Sequence, residues 1–287
     1  MTTIINGKEL AKKINEQTKQ RVEQLSKTGN VPGLVVVIVG DDQASQRYVR
    51  NKNKTAQRLG INSIVKQLPE ETTEAELLAL IDEYNSDDSI HGILVQDPLP
   101  AQIDEKKVTH HILPSKDVDG FHPVNVGKLY LNDSSNYPVA CTPKGIMTMF
   151  SEYGIDLNGK NVVMIGRSSI VGKPMAALML NAGATVTIIH RNTRQPRNFT
   201  QKADVIVSAT GSLHTLGVDD VKEGAVVIDV GQNMNEDGHL VGDVDYEDML
   251  DKVGYITPVP GGVGPMTIAT LMQQTVDLCE WGAKDSE

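Results

Sequence analysis

At 287 residues the chain is long enough for two domains, and its 39% apolar content is ordinary for a globular protein. A formal net charge of −10 argues against nonspecific nucleic-acid binding and against docking on an anionic membrane. Two cysteines, Cys141 and Cys279, are too few for a disulfide scaffold and do not stand at metal-ligand spacing, so a reducing cytosol is the expected compartment.

The start, MTTIINGKELAKKI, lacks the apolar stretch and cleavage site of a secretory signal. The longest aliphatic run, Leu34 to Val39, has the length of a strand rather than of a membrane span. Apolar spacing predicts an amphipathic helix over 8–27, carrying Leu10, Ile14, Val22 and Leu25. A strand follows at 34–39, a basic helix at 44–59 ended by Gly60, and a strand at 61–66. A helix over 73–85 opens at Thr72 or Thr73, with Glu76 placed for a capping box, and a strand over 90–95 comes next. Between Pro98 and Pro143, prolines, glycines and aspartates predict long loops, with a domain boundary near residue 140 before a helix at 143–153. From Asn161 strands recur at 161–165, 185–189, 204–208, 226–230 and 255–257. TPVPGGVGPMT, 257–267, then leads into an apolar helix over 268–281. The alternation predicts an α/β fold of two lobes with mainly parallel sheets. Residues 1–140, with a C-terminal helix 265–287 packing back on them, form the expected first domain; 141–264 form a Rossmann-like second.

The chemistry-bearing segments begin with 161–193, a strand, glycine-marked turn, helix and strand. Small residues in such a turn let backbone N–H groups approach the phosphates of a dinucleotide. GRSSIVG departs from GxGxxG, since Ser168 replaces the second glycine, and the segment also fits a plain βαβ unit. His190-Arg191 stands where an NAD site has an acid, which favours NADP; the alternative is a solvated surface arginine. Tyr48 and Lys52, four residues apart, share a helix face, and Gln96 ends a buried strand where α/β sheets gather ligands. Asp117, Asp119 and His122 invite a metal reading, but Asp-x-Asp-Gly more often makes a turn, and no metal is expected. The PGGVG loop, 260–264, either reverses the chain sharply or lets backbone approach a flat ligand.

ASQRYVRNKNK, GILVQDPLP, KDVDGFHPVNVGKL, GRSSIVGKP, VIDVGQN and ITPVPGGVGPMTIATL occur in one order over nearly the whole chain. Together they resemble the bifunctional methylenetetrahydrofolate dehydrogenase/cyclohydrolase family, the FolD type. The resemblance implies that Lys52 is the catalytic lysine, Tyr48 packs on the folate, Gln96 positions Lys52 and Asp119 holds the pterin. It implies a substrate-side loop of Pro260, Gly261, Gly262, Val263 and Gly264. Gly166, Arg167 and Ser168 become the phosphate loop, Arg191 the 2′-phosphate contact, and Gln232 part of a loop whose backbone meets the cofactor. Two positions depart from the family pattern: Asp97 stands where leucine is usual, and Gln232 where isoleucine is frequent. The resemblance further implies a tetrahydrofolate substrate, NADP as cofactor and a homodimer, with the folate held between the lobes. Rival readings are a dehydrogenase without cyclohydrolase activity, a non-catalytic NADP-binding regulator, and a shikimate-type dehydrogenase. Intact Tyr48, Lys52 and Gln96 argue against the first, and PVPGGVGPMT is unexplained by the last.

Overall fold

The computed structural model describes residues 1–284. Its strands are β1 (Thr3–Ile4), β2 (Gly33–Val39), β3 (Asn62–Leu68), β4 (Gly92–Gln96), β5 (Asn161–Ile165), β6 (Thr185–Ile189), β7 (Val205–Ser208), β8 (Val226–Asp229), β9 (Asn233–Met234), β10 (Leu240–Val241) and β11 (Tyr255–Ile256). Its helices are α1 (Gly7–Lys27), α2 (Gln43–Leu59), α3 (Glu74–Ser86), α4 (Glu105–His111), α5 (Pro123–Leu131), α6 (Cys141–Glu152), α7 (Gly172–Asn181), α8 (Arg197–Thr200), α9 (Tyr246–Met249) and α10 (Val263–Lys284). Among the described residues no helix is long and apolar enough to cross a membrane.

The chain divides into two compact units. One comprises Lys13–Cys141 and the chain from Ile268; the other comprises Met1–Lys12 and Thr142–Thr267. Residues 285–287, included in the expected C-terminal helix, lie outside the described residues.

The first unit holds a parallel three-stranded sheet in the order β3-β2-β4. All seven residues of β2 are buried, as a strand covered on both faces requires. Because side chains alternate, Leu34, Val36 and Ile38 enter one core with Val49, Ala56 and Leu59 of α2 and Leu271, Met272 and Val276 of α10. Val35, Val37 and Val39 enter a second core with Leu77 and Ile81 of α3 and Val108 of α4. Each such side chain contributes roughly 1.5–3 kcal/mol when fully buried. Arg21 of α1 pairs with Asp277 at 2.7 Å and Glu280 at 2.9 Å on α10, holding that helix along its outer edge. Thr73 and Glu76 form the reciprocal capping box that opens α3.

The stretch 98–143, expected as long loops, carries α4 and α5 instead. Local capping explains both helices. The Asp104 carboxylate accepts from Lys106 N–H, and His122 Nδ1 accepts from Val124 N–H ahead of Pro123 in the first turn. Asn132, left-handed at φ 52°, ends α5.

The second unit is built on a parallel six-stranded sheet in the order β1-β11-β8-β7-β5-β6. After β5 the chain turns one way to β6 and then crosses to β7 on the other side, which creates a crevice beyond the carboxyl ends of β5 and β7. Residues 1–12, assigned from sequence to the first domain, group with this unit, and β1 joins its sheet by pairing with β11, Thr3 opposite Tyr255. Two-residue strands give almost no periodic signal, so this pairing had no sequence signature.

The joint between Gly7 and Gly262 is tight. A Cβ on Gly7 would lie 1.8 Å from the Gly262 carbonyl oxygen, and Lys8 N–H donates to Gly261 O at 3.0 Å. Gly7→Ala is therefore expected to lower unfolding stability by about 1–3 kcal/mol, the usual cost of overpacking. Gly127, in the interior of α5, has open space around the position of a Cβ, so Gly127→Ala is expected to raise stability by about 0.8–1 kcal/mol. Urea unfolding of both variants checks the opposite signs.

Candidate active site

Lys52 owes its place to helix geometry. Ser45, Val49, Ala56 and Leu59 are buried, and with Lys52 they recur in alternating steps of four and three along α2. That stripe faces the core, so a lysine occupies a position where an apolar side chain is the rule. The Asp42 carboxylate caps α2 by accepting from Ser45 N–H at 2.7 Å. On β4, Gln96 lies two residues after Leu94, so both point toward α2. Lys52 Nζ consequently donates to Gln96 Oε1 at 2.9 Å. The other end of the amide is also committed: Gln96 Nε2 donates to Asp97 O at 2.9 Å, and Ser45 Oγ donates to the same carbonyl at 3.1 Å. Asp97-Pro98 is a cis peptide. Tyr48, one turn before Lys52, keeps 40% of its surface exposed.

Carboxylates surround this amine. Burial pushes the Asp119 carboxyl up to about 6, against the pull of Lys52, with Asp117 and Asp97 raising it further. Asp97 reaches solvent with part of its surface, yet surrounding chain crowds its carboxyl and pushes it up to about 6; Glu105 adds to this and Lys52 opposes it. Asp97 is thus an electrostatic neighbour of Lys52. Asp117, the other carboxylate of the Asp-x-Asp-Gly segment, closes the turn as a structural residue. It is buried and accepts from Phe121 N–H at 3.2 Å, His122 N–H at 2.8 Å and Asn125 Nδ2 at 2.8 Å.

Gln274 of α10, absent from the sequence reading, fastens the segment bearing Asp119. Fully buried, it donates from Nε2 to Val118 O at 2.6 Å and Val139 O at 2.9 Å, and its Oε1 accepts from Val139 N–H at 3.1 Å. Gly120, which follows Asp119 and sits at φ 72°, lies so close to the Val139 backbone that a Cβ would stand 2.4 Å from its carbonyl carbon. The sequence offered no local signal for it, since Gln273 precedes it and threonines and acids share the helix.

In the second unit, the turn after β5 packs tightly against the end of β7. Gly166 sits at φ 113°, and a Cβ there would lie 2.4 Å from Ala209 O, beyond the end of β7. Ser168 does more than substitute for a glycine. Its Oγ accepts from Val171 N–H at 3.1 Å and Gly172 N–H at 3.2 Å, so two N–H groups expected to be open to a ligand are held by the turn itself. Arg167 and Ser168 are exposed. Arg191 projects from a tight turn closed by Thr193 N–H to His190 O at 2.7 Å. It lines a pocket of about 490 Å³ with Ile165, His190, Thr193, Arg197 and Thr210. Arg197 is paired with Asp220 at 2.5 Å, and Arg191 is exposed. A crevice at the sheet's crossover, a glycine turn and a pocket bearing Arg191 fit a phosphorylated dinucleotide.

The PGGVG loop also belongs to this unit. Val259-Pro260 is cis, Gly261 lies at φ 107°, and Gly262 packs so closely that a Cβ would be 2.5 Å from Pro258 O. Val263 begins α10, with Gly264 in its first turn, and Gln232 is exposed.

Two family models match the chain. Residues 5–119 match the family description "Tetrahydrofolate dehydrogenase/cyclohydrolase, catalytic domain", and residues 140–282 match its "NAD(P)-binding domain". A protein of Lactiplantibacillus plantarum named "Bifunctional protein FolD" is 60% identical over 98% of each chain. The crystal structure of the bifunctional FolD enzyme of Campylobacter jejuni is 49% identical, covering 98% of this chain and 100% of that one, with a TM-score of 0.97. A Trypanosoma brucei methylenetetrahydrofolate dehydrogenase-cyclohydrolase, solved with NADP cofactor and inhibitor, is 35% identical over 99% of each chain, with a TM-score of 0.94.

The raised Asp119 carboxyl has a consequence for stability. Since its pKa in the folded chain lies above the ordinary 3.8, the folded state binds more protons between that value and about 6. Stability from this group is full at low pH and is lost as pH rises through about 6. Asp119→Asn is therefore expected to raise the thermal midpoint of the ligand-free protein at about pH 8, with the gain shrinking toward about pH 5. Thermal scans across that range check it.

Proposed function

The chain belongs to the tetrahydrofolate dehydrogenase/cyclohydrolase family, and from that premise we infer that it performs both reactions with NADP as hydride acceptor. It oxidises 5,10-methylenetetrahydrofolate to the methenyl form and then hydrolyses that product to 10-formyltetrahydrofolate. The observation carrying the second activity is the Lys52–Gln96 hydrogen bond of 2.9 Å.

In the first step the methylene carbon stands between two nitrogens, whose lone pairs stabilise the cation left behind. NADP, when bound, would supply the hydride acceptor. No proton leaves, so the residues of this chain act by positioning. Asp119 holds the pterin through its carboxyl, Tyr48 packs on the folate, and the Pro260–Gly264 loop lies on the substrate side. Gly166, Arg167 and Ser168 border the phosphates, Arg191 faces the 2′-phosphate, and the Gln232 loop presents backbone to the cofactor. The exposed Arg191 turn supports NADP over NAD, as does the NADP in the Trypanosoma brucei relative.

The second step requires proton transfers. Water adds to the methenyl carbon and loses one proton to give a neutral carbinolamine. Its hydroxyl then loses the second proton as one carbon–nitrogen bond of the ring breaks, the released nitrogen takes a proton, and one proton is released overall. Lys52 is the proton carrier, and Gln96 fixes its nitrogen in place. Asp97, where the family usually has leucine, sets an extra carboxyl beside this pair and tunes it electrostatically. A cytoplasmic location and assembly as a homodimer complete the reading, supported by resemblance to the family.

Lys52→Met is expected to lower cyclohydrolase turnover by at least about 100-fold while dehydrogenase turnover stays within about tenfold of wild type. Separate assays of methenyltetrahydrofolate hydrolysis and NADPH formation check the split. Equal loss of both activities with unchanged folate affinity contradicts it.

A further inference from the structure

The loops leaving the carboxyl ends of β7 and β8 meet at a buried carboxylate that the mechanism above does not use. Asp243 is fully buried. Its Oδ2 accepts from Ser208 Oγ at 3.0 Å, Thr210 N–H at 2.7 Å and Thr210 Oγ1 at 2.9 Å. Its Oδ1 accepts from Ser212 N–H at 3.1 Å and Asn233 Nδ2 at 3.0 Å. Ser208 ends β7 and Thr210 and Ser212 lie in the loop after it; Asn233 follows Gln232, where the loop after β8 enters β9.

A second carboxylate holds Asp243 in place. Asp229, at the end of β8, accepts from Asp243 N–H at 3.0 Å, Val244 N–H at 3.0 Å and Gly231 N–H at 2.8 Å. The packing leaves no room for larger residues. A Cβ on Gly242 would lie 1.8 Å from Asp229 Oδ2, and one on Gly231 would lie 2.2 Å from Asp243 Oδ1. Thr210 and Ser212 also line the pocket that contains Arg191.

We propose that Asp243 is a positioning residue for the cofactor, gathering the β7 and β8 loops into one fixed edge of the dinucleotide site. The proposal rests on the reading that NADP binds at this end of the six-stranded sheet. A carboxylate offers only acceptors, so five donors from two segments converge on it without conflict. An amide of the same shape turns one acceptor into a donor and sets it against N–H and O–H groups. The loops then lose their common anchor, and the bound cofactor must order them itself.

The test measures NADP⁺ affinity by calorimetry, and hydrolysis of methenyltetrahydrofolate without cofactor, for Asp243→Asn and Arg191→Ala in parallel. Asp243→Asn is expected to weaken NADP⁺ by about tenfold or more, the scale of buried donors left unpaired, while the hydrolysis rate stays within about twofold. Wild-type NADP⁺ affinity in Asp243→Asn, with Arg191→Ala weakened, overturns the proposal and leaves the reading of the site intact. Wild-type affinity in both variants overturns the reading as well. Hydrolysis falling in step with NADP⁺ affinity shows a general loss of structure and also overturns the positioning role. If Asp243→Asn does not fold, Thr210→Val and Asn233→Ala decide the matter, since each removes a single donor: weakened NADP⁺ with intact hydrolysis supports the proposal, and unchanged NADP⁺ affinity in both overturns it.

Discussion

A lysine on the core-facing stripe of a helix is the constraint around which the first unit is arranged. Lys52 stands among Val49, Ala56 and Leu59, where an ammonium group needs a partner to replace water. Gln96 supplies one, and Asp97 and Asp119 supply opposite charge. Every neighbouring element serves that placement: the Asp42 cap starts α2, β4 ends at the glutamine, and Gln274 clamps the segment bearing Asp119. The cost is visible in Asp119, raised by burial, which destabilises the folded chain when ionised. Active sites commonly hold such strained titratable groups, because a perturbed group is poised for its task.

The second unit meets the opposite problem. Leu216 and Val244 anchor parts of its loops in the core, but a dinucleotide site also needs exposed backbone. Asp229 and Asp243 solve this by acting from inside, taking eight hydrogen bonds between them while glycines keep the surface thin. Ser168 does the same for the turn after β5. The candidate site of the second unit is therefore a set of fastened loops, and that of the first a single half-buried amine.

What was legible in the sequence was whatever has a period or a local chemical rule. The strands β2, β4 and β5 are continuous apolar runs, and Thr73 with Glu76 is a capping box at fixed spacing. Lys52 and Gln96 were found from position and resemblance, although the stripe through Ser45, Val49 and Ala56 already marks Lys52 as out of place. The rest depended on contacts far apart in the chain. Nothing local distinguishes Gln274, 156 residues from Val118, or Asp243, 35 residues from Ser208. The helices α4 and α5 were obscured by proline and aspartate, which here cap helices as often as they break them.

The central claim is that one chain carries both reactions in sequence, and the most direct measurement follows wild-type protein given methylenetetrahydrofolate and NADP⁺. NADPH, the methenyl form and 10-formyltetrahydrofolate are recorded together over time, with NAD⁺ in a parallel reaction. The account predicts that NADPH and 10-formyltetrahydrofolate rise together with NADP⁺, and that NAD⁺ supports a slower reaction. NADPH formation in which all product remains as the methenyl form, beyond its uncatalysed hydrolysis, would contradict it, as would NADP⁺ binding without turnover.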